Sequence, residues 1–212
     1  NNDNLKTTIQ AGRFNTDRSA SNPDMDKTTA DYYAVQFDYA QDKWTGQAGY
    51  YLFKDYFKEK TINLGDKTLS SADFDTDELS LWNVGLGYKF DDNFKIAGNY
   101  AENTKGEGYN TTGDFTVQGD ESKAYSVELT YKGYDTKDPG SWDAFVAYRY
   151  LGAMVAIGPV YKGAWTDQKG IEFGVEFVPA ENVLATLKYF DGKDISTDQD
   201  ASKFFGQLEL QF

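Results

Sequence analysis

Lys203-Phe204-Phe205-Gly206-Gln207-Leu208-Glu209-Leu210-Gln211-Phe212 closes the chain and decides how the rest is read. Phe204, Gly206, Leu208, Leu210 and Phe212 fall on one set of alternate positions, and Phe205, Gln207, Glu209 and Gln211 on the other. Successive side chains of a strand point to opposite faces, so the segment predicts a strand with one apolar and one mostly polar face. A soluble sandwich and a membrane strand with lipid outside and water inside both satisfy that alternation. Its recurrence upstream discriminates between them.

The same pattern returns along the whole chain. Candidate strands run from Leu5 to Phe14, Asp31 to Gln41, Trp44 to Phe53, Leu79 to Phe90, Phe94 to Glu102, Tyr125 to Tyr131, Trp142 to Tyr150, Ile171 to Phe177 and Val183 to Tyr189. With the closing strand they are close to the roughly 9–11 residues that a tilted membrane strand needs. The connections after the second, fourth, sixth and eighth strands read as short, and the others as long, as in barrels with short periplasmic turns and long external loops. One long segment, Lys60 to Ser70, reads as a small hairpin outside the main sheet. Beside the short turns, Tyr39, Trp44, Tyr88, Phe90, Phe94, Tyr131, Trp142, Phe177 and Phe212 all fall on the apolar face. Aromatics gathered on one rim form a membrane-interface belt, for which a soluble sandwich has no use. The expected fold is therefore all-β: a transmembrane antiparallel up-and-down β-barrel over residues 1–212, ten strands of it visible, in a bacterial outer membrane.

Composition narrows the function. The chain has 212 residues, 21 basic against 34 acidic, and a formal charge of -13. Nucleic acid is not an expected partner, since phosphates need a basic face. Mean hydropathy is -0.66, which a barrel tolerates because half of each strand and all the loops are polar. The uncharged run Leu151 to Tyr161 is shorter than the ~20 residues of a membrane helix. The absence of His and Cys removes the usual base and a thiol nucleophile, so no enzymatic activity and no cofactor are expected. The opening Asn1-Asn2-Asp3-Asn4, without an initiating Met, reads as a processed product or the interior of a longer chain.

The inward positions carry Lys6, Lys89, Lys95, Arg149 and Lys188 against Asp38, Glu128, Asp143, Glu172, Glu176 and Glu209. Two readings stand: a pore lining whose charges set ion preference, or cross-strand pairs that satisfy one another in a wet lumen. Glu172 and Glu176 share a face, with Glu209 beyond the next strand and Lys188 placed between them. The external segments are acidic, with Asp24, Asp26, Asp73, Asp75, Asp77, Asp120, Glu121, Asp198 and Asp200 among them. Asp73-x-Asp75-x-Asp77 resembles the start of a calcium loop but lacks the Gly at the sixth and the Glu at the twelfth position, so no metal site is expected. The apolar connection Met154 to Tyr161 leaves three placements open: in the lumen, against a neighbouring subunit, or as an extension of its hairpin.

Two longer stretches carry a resemblance. Gly140-Ser141-Trp142-Asp143-Ala144-Phe145-Val146-Ala147-Tyr148-Arg149-Tyr150-Leu151 is one; Val178-Pro179-Ala180-Glu181-Asn182 followed by Leu187-Lys188-Tyr189-Phe190-Asp191-Gly192-Lys193-Asp194 is the other. With the terminal Phe, they resemble the C-terminal part of the porin-like barrels of outer-membrane tethering proteins in diderm Firmicutes. Leu5 to Phe14, with Gly12-Arg13, also resembles the porin strand before an inward-folded constriction loop. The resemblance implies a homotrimeric channel for passive diffusion of ions and small hydrophilic solutes. It implies too that an N-terminal S-layer-homology domain, absent from these residues, binds cell-wall polymer and that further strands precede Leu5. Similar chain ends serve as signals to the outer-membrane assembly machinery, a role that would fall to Leu208, Leu210 and Phe212. The competing expectation is a complete small ten-stranded barrel with a structural or adhesive role and no open pore.

Overall fold

Alternating chains rich in Tyr, Phe, Val and Thr favour a pleated backbone, because branched and aromatic side chains pack well on a half-covered sheet. The computed structural model describes residues 4–15, 29–56, 62–64, 67–69, 76–105, 120–155 and 163–211. Among them there is no helix. The strands are β1 (Leu5–Asn15), β2 (Thr29–Gln41), β3 (Trp44–Lys54), β4 (Ile62–Leu64), β5 (Lys67–Leu69), β6 (Leu79–Lys89), β7 (Phe94–Asn103), β8 (Lys123–Gly133), β9 (Trp142–Leu151), β10 (Gln168–Ala180), β11 (Val183–Asp194) and β12 (Asp200–Leu210). Ten of them form one sheet in the order β1-β2-β3-β6-β7-β8-β9-β10-β11-β12, and β4 pairs with β5 apart from it. Every pairing is antiparallel. This is the all-β, up-and-down arrangement expected. The β4–β5 hairpin lies where the sequence places one.

Register keeps each face pure. Lys6 pairs with Asp38, Asp38 with Gln47, Gln47 with Gly85, Gly85 with Asn99, Asn99 with Ser126 and Ser126 with Arg149. On the opposite face Ile9, Val35, Tyr50 and Trp82 form another such row. A slip of one residue anywhere would turn a whole strand over, so the two-residue period and the tight turns must agree. Asp42 and Asn182 close their hairpins with positive φ, 52° and 59°, a conformation that Asp and Asn tolerate better than most residues. In Asp138-Pro139-Gly140, Gly140 takes φ 96°, which suits glycine alone.

The strict alternation of connection lengths fails at one place. β11 runs on to Asp194 and β12 starts at Asp200, so the ninth connection, 195–199, is shorter than the sixth, 134–141. The reason is local: Asp191, Gly192 and Lys193 keep pairing with Ser202, Ala201 and Asp200 after the apolar alternation has ended. β10 carries an irregularity in register between Phe177 and Ala180.

Burial is inverted relative to a water-soluble globule. Leu86, Val127, Phe173 and Leu208 are 59%, 51%, 51% and 60% exposed, whereas Glu172, Arg149 and Asp143 are 0%, 2% and 4% exposed. Soluble proteins bury apolar groups and rarely enclose charges. Rings meet along the lower rim: Trp44 lies 4.4 Å from Tyr88, Tyr88 5.2 Å from Phe90, Phe94 4.9 Å from Tyr131 and Tyr131 5.9 Å from Trp142, between ring centres. A second belt sits higher on the same face. There Trp82 packs on Tyr100 at 5.2 Å and Tyr125 on Tyr150 at 4.8 Å. Tyr125 is six residues above Tyr131, or about 20 Å of strand.

Candidate functional site

The polar face of the sheet is the candidate site, and it divides into a charged half and an uncharged half. In the charged half Arg149 reaches diagonally to both neighbouring strands. Its Nη2 donates to Glu128 Oε2 at 2.6 Å and to Glu172 Oε1 at 3.1 Å, and its Nε donates to Glu172 Oε1 at 3.3 Å. Glu172 Oε2 accepts from Ala164 N at 3.0 Å. A Cβ on Gly163 would collide with that same oxygen, so a glycine is needed where the backbone crosses it. Below this group the Phe145 ring lies over Gly174, whose missing side chain leaves it room. Lys188, opposite Gly174 and Phe205 in register, holds its ammonium 5.1 Å from the centre of that ring. An opposed cation over an aromatic face is attracted by the ring quadrupole. Thr186 Oγ1 donates to Glu176 Oε1 at 3.5 Å.

The connection between β9 and β10 folds inward over this face. Met154 and Val155 are buried against Phe53, Tyr56, Leu79 and Leu81, side chains of β3, β6 and the residues just beyond β3. A flat sheet would put β9 roughly 19 Å from β3, at ~4.8 Å per strand; the contact therefore requires the sheet to curl with its polar face concave. Gly152 N donates to Lys123 O at 3.0 Å, Met154 N to Glu121 O at 3.0 Å, and Asn103 Nδ2 to Met154 O at 3.1 Å. Farther on, Ala164 is fully buried with Leu151 and Phe190, and Trp165 receives the Lys203 ammonium 3.9 Å from its ring centre. Of the three placements for Met154 to Tyr161, Met154 and Val155 take the one over the polar face of the sheet; residues 156–161 lie outside the described residues.

An acidic pair joins three connections at the end of the sheet away from the short turns. Glu121, 1% exposed, accepts from Ala153 N through Oε2 at 2.7 Å and lies beside the Asp167 carboxylate. Asp167 in turn accepts from Ser196 N at 2.8 Å and Ser196 Oγ at 2.6 Å. Burial, and then the Asp167 charge, push the Glu121 carboxyl up to about 8. Two carboxyls side by side cannot both be ionised at low cost, so Glu121 favours its protonated form at neutral pH. The Ala153 amide bonded to Glu121 and the Ser196 amide and hydroxyl bonded to Asp167 bring the connections 104–122, 152–167 and 195–199 together at this pair.

Above Lys89 and Lys95 at the rim, the uncharged half is built by β3, β6 and β7. Its inward residues are Thr45, Gln47, Gly49 and Tyr51, then Asn83, Gly85 and Gly87, then Ala97, Asn99 and Ala101. Gln47 Nε2 donates to Asn99 Oδ1 at 3.3 Å and Tyr51 Oη to Gln36 Oε1 at 2.9 Å. Gln36 Nε2 donates to both oxygens of Asp38 at 2.7 and 2.9 Å. A Cβ on Gly49 would come within 2.7 Å of Tyr51 Cε2 and of Asn83 Oδ1, so the ring lies down along the wall only because this position is glycine. Two adjoining cavities, of about 410 and 380 Å³, share Gln47 and Asn99.

Of the inward charges read from sequence, the structure brings together Glu128, Arg149 and Glu172 and encloses Asp143. Lys6, Lys89 and Lys95 stay exposed, with Lys89 Nζ 3.0 Å from Asp92 at the rim. Asp38 is held by Gln36, Glu176 by Thr186, and Glu209 Oε1 accepts from Gln211 Nε2 at 3.3 Å. Leu208 and Leu210 face outward and are exposed; Phe212, Asp73 and Asp75 lie outside the described residues. The Glu121–Asp167–Ser196 tie and the amide wall were not singled out from sequence. The first joins segments with no period to follow, and the second appears only once β3, β6 and β7 are placed side by side. No protein-family model matches the chain, and no curated protein matches it.

Proposed function

We propose that this chain is an outer-membrane β-barrel, or the C-terminal strands of one, and that it serves passive diffusion of ions and small hydrophilic solutes. The observation that carries this reading is the inverted burial: an exposed apolar face with two aromatic belts, backed by a concave polar face. Lipid is the solvent that makes such an outer face favourable, and water the one that suits the inner. Much of the charge in the half containing Arg149 is mutually neutralised. Selectivity then rests with the exposed groups and the acidic external segments, which concentrate cations within a Debye length of ~8–10 Å. Trimeric assembly and a tether to cell-wall polymer belong to the same proposal and are supported by the sequence resemblance alone.

The test is conductance. Full-length protein inserted in planar bilayers is expected to give stable open channels, with reversal potentials in a salt gradient that favour cations. Persistent silence from correctly folded protein would reject the channel and favour a closed barrel with a structural role. A preference for chloride would reject the acidic vestibule.

A further inference from the structure

We propose that the wall made by β3, β6 and β7 is a binding track for neutral saccharides, a claim that rests on the channel reading and names its solute class. The first reason is the distribution of charge. The inward face of β3 carries no charged residue, and neither does that of β6 from Leu79 to Gly87 or that of β7 from Ala97 to Asn103. The charged inward residues of the neighbouring strands stand on β8 to β12 on one side, and as Asp38 and Lys6 on the other. A charged solute gains nothing from this strip, and a neutral one loses nothing by approaching it.

The second reason is the type of polar group. A sugar hydroxyl both donates and accepts, and a primary amide does the same with two donors and a carbonyl. Gln36, Gln47, Asn83 and Asn99 line successive strands: Gln47 bonds Asn99, Gln36 accepts from Tyr51, and Asn83 lies beside Tyr51. Among the described residues, the single bond between Gln47 Nε2 and Asn99 Oδ1 leaves Gln47 Oε1 and Asn99 Nδ2 available to a ligand.

The third reason is shape. Gly85 and Gly87 leave the floor of the strip without side chains, and Gly49 lets the Tyr51 ring lie flat on it. Tyr51 is half-buried and adjoins the inserted Met154 and Val155 at its upper edge, so the track ends at the inserted loop. A pyranose ring has one face of C–H groups that stacks on an aromatic ring while its rim of hydroxyls meets amides. The cavity of about 380 Å³ with Gln47, Asn83, Asn99, Ser126 and Val155 in its wall and no charged residue lies within the roughly 300–1,000 Å³ of small-molecule sites, where a few placed polar groups fix orientation.

The experiment uses the full-length protein in planar bilayers with maltotriose, and polyethylene glycol of equal hydrodynamic size as a neutral solute without hydroxyl donors along its length. Maltotriose should reduce the open-channel current saturably, and the glycol should not saturate. In Gln47→Ala/Asn99→Ala the half-blocking concentration, read against the variant's own open current, should rise about tenfold, the scale of one or two lost hydrogen bonds. Tyr51→Leu should weaken the block similarly, while Tyr51→Phe, which keeps the ring, should preserve most of it. Maltotriose acting no differently from the glycol, or variants that leave the half-blocking concentration unchanged, would overturn the track while leaving the channel standing. If the protein does not conduct at all, the channel reading fails on its own. Calorimetry of maltotriose with detergent-folded protein then decides the site: binding that the double variant weakens supports it, and no binding overturns it.

Discussion

Val127→Arg asks whether the outward face meets lipid. Val127 is 51% exposed and pairs with Gly98 on one side and Tyr148 on the other, so an arginine there meets no steric obstacle and no counter-charge. It stands four residues above Tyr131 in the lower belt and four below Lys123. At ~3.3 Å per residue and a tilt of ~40°, that is roughly 10 Å from either end of the apolar band. Arginine at the middle of a bilayer costs about 2–4 kcal/mol in a barrel, and about 0–1 kcal/mol near the interface. On a surface bathed in water, the same substitution would stay within about 0.5 kcal/mol. The assay is equilibrium urea unfolding in lipid vesicles, followed by tryptophan fluorescence, with Tyr131→Arg as the interfacial companion. The expected result is a loss of a few kcal/mol for Val127→Arg and a much smaller one for Tyr131→Arg. Equal effects, or a change within about 0.5 kcal/mol at Val127, would place this face in water and remove the basis of the membrane reading.

Three further outcomes follow from the polar face and the chain end. Arg149→Met strips both bonds from Glu172 Oε1 inside a fully enclosed site, leaving, among the described residues, the Ala164 amide on Oε2. The loss should be about 3–5 kcal/mol by the same titration, and Arg149→Met/Glu172→Gln should recover most of it; a loss below about 1 kcal/mol would mean that Glu172 carries no charge to strand. For Glu121 the raised carboxyl value means the folded state keeps a proton that the unfolded chain releases above the ordinary 4.5. Stability is therefore complete below that value and declines up to about 8, by at most about 1.4 kcal/mol per pH unit. Glu121→Gln should flatten melting temperature between pH 5 and pH 8 and exceed the parent protein at the upper end; parallel curves would show that no proton is held there. Removing Phe212 should lower the amount of protein in the outer membrane far more than the melting temperature of detergent-refolded protein, since one interfacial ring is worth at most roughly 1.5–3 kcal/mol. Normal surface levels without it would dissociate the chain end from assembly.

Strand number and facing were legible because the two-residue period is carried by large side chains: Tyr33, Val35, Phe37 and Tyr39 state the outward face of β2 unaided. Strand ends were less so. Past the apolar band both faces are polar, and Asp191 to Asp194 read as loop although their backbones are paired. The upper belt went unseen for a related reason. Tyr50, Trp82, Tyr100 and Tyr125 each fall on the apolar alternation of their own strands, but their common height depends on register, and the hydrophobic pattern of one strand does not fix its offset from the next. Inward charges were legible as inward. Which of them meet was not, because Arg149 lies directly opposite Ser126 and Gly170 and finds its carboxylates on the diagonals, two residues on. Glu121, Asp167 and Ser196 come from three loops and share no pattern at all.

Met154 and Val155 act on the sheet as a tie rod acts on an arch. Each hairpin of an up-and-down sheet grips only its neighbours, so pairing alone leaves the radius soft. A loop that leaves β9 and docks on Phe53, Leu79 and Leu81 sets a chord length between distant points of the curve. The curvature of the sheet is then governed from one loop, by the bulk of two side chains, independently of what lines its polar face. Trimming Met154 would widen the arch, and enlarging Val155 would spread or strain it, without altering a single strand residue.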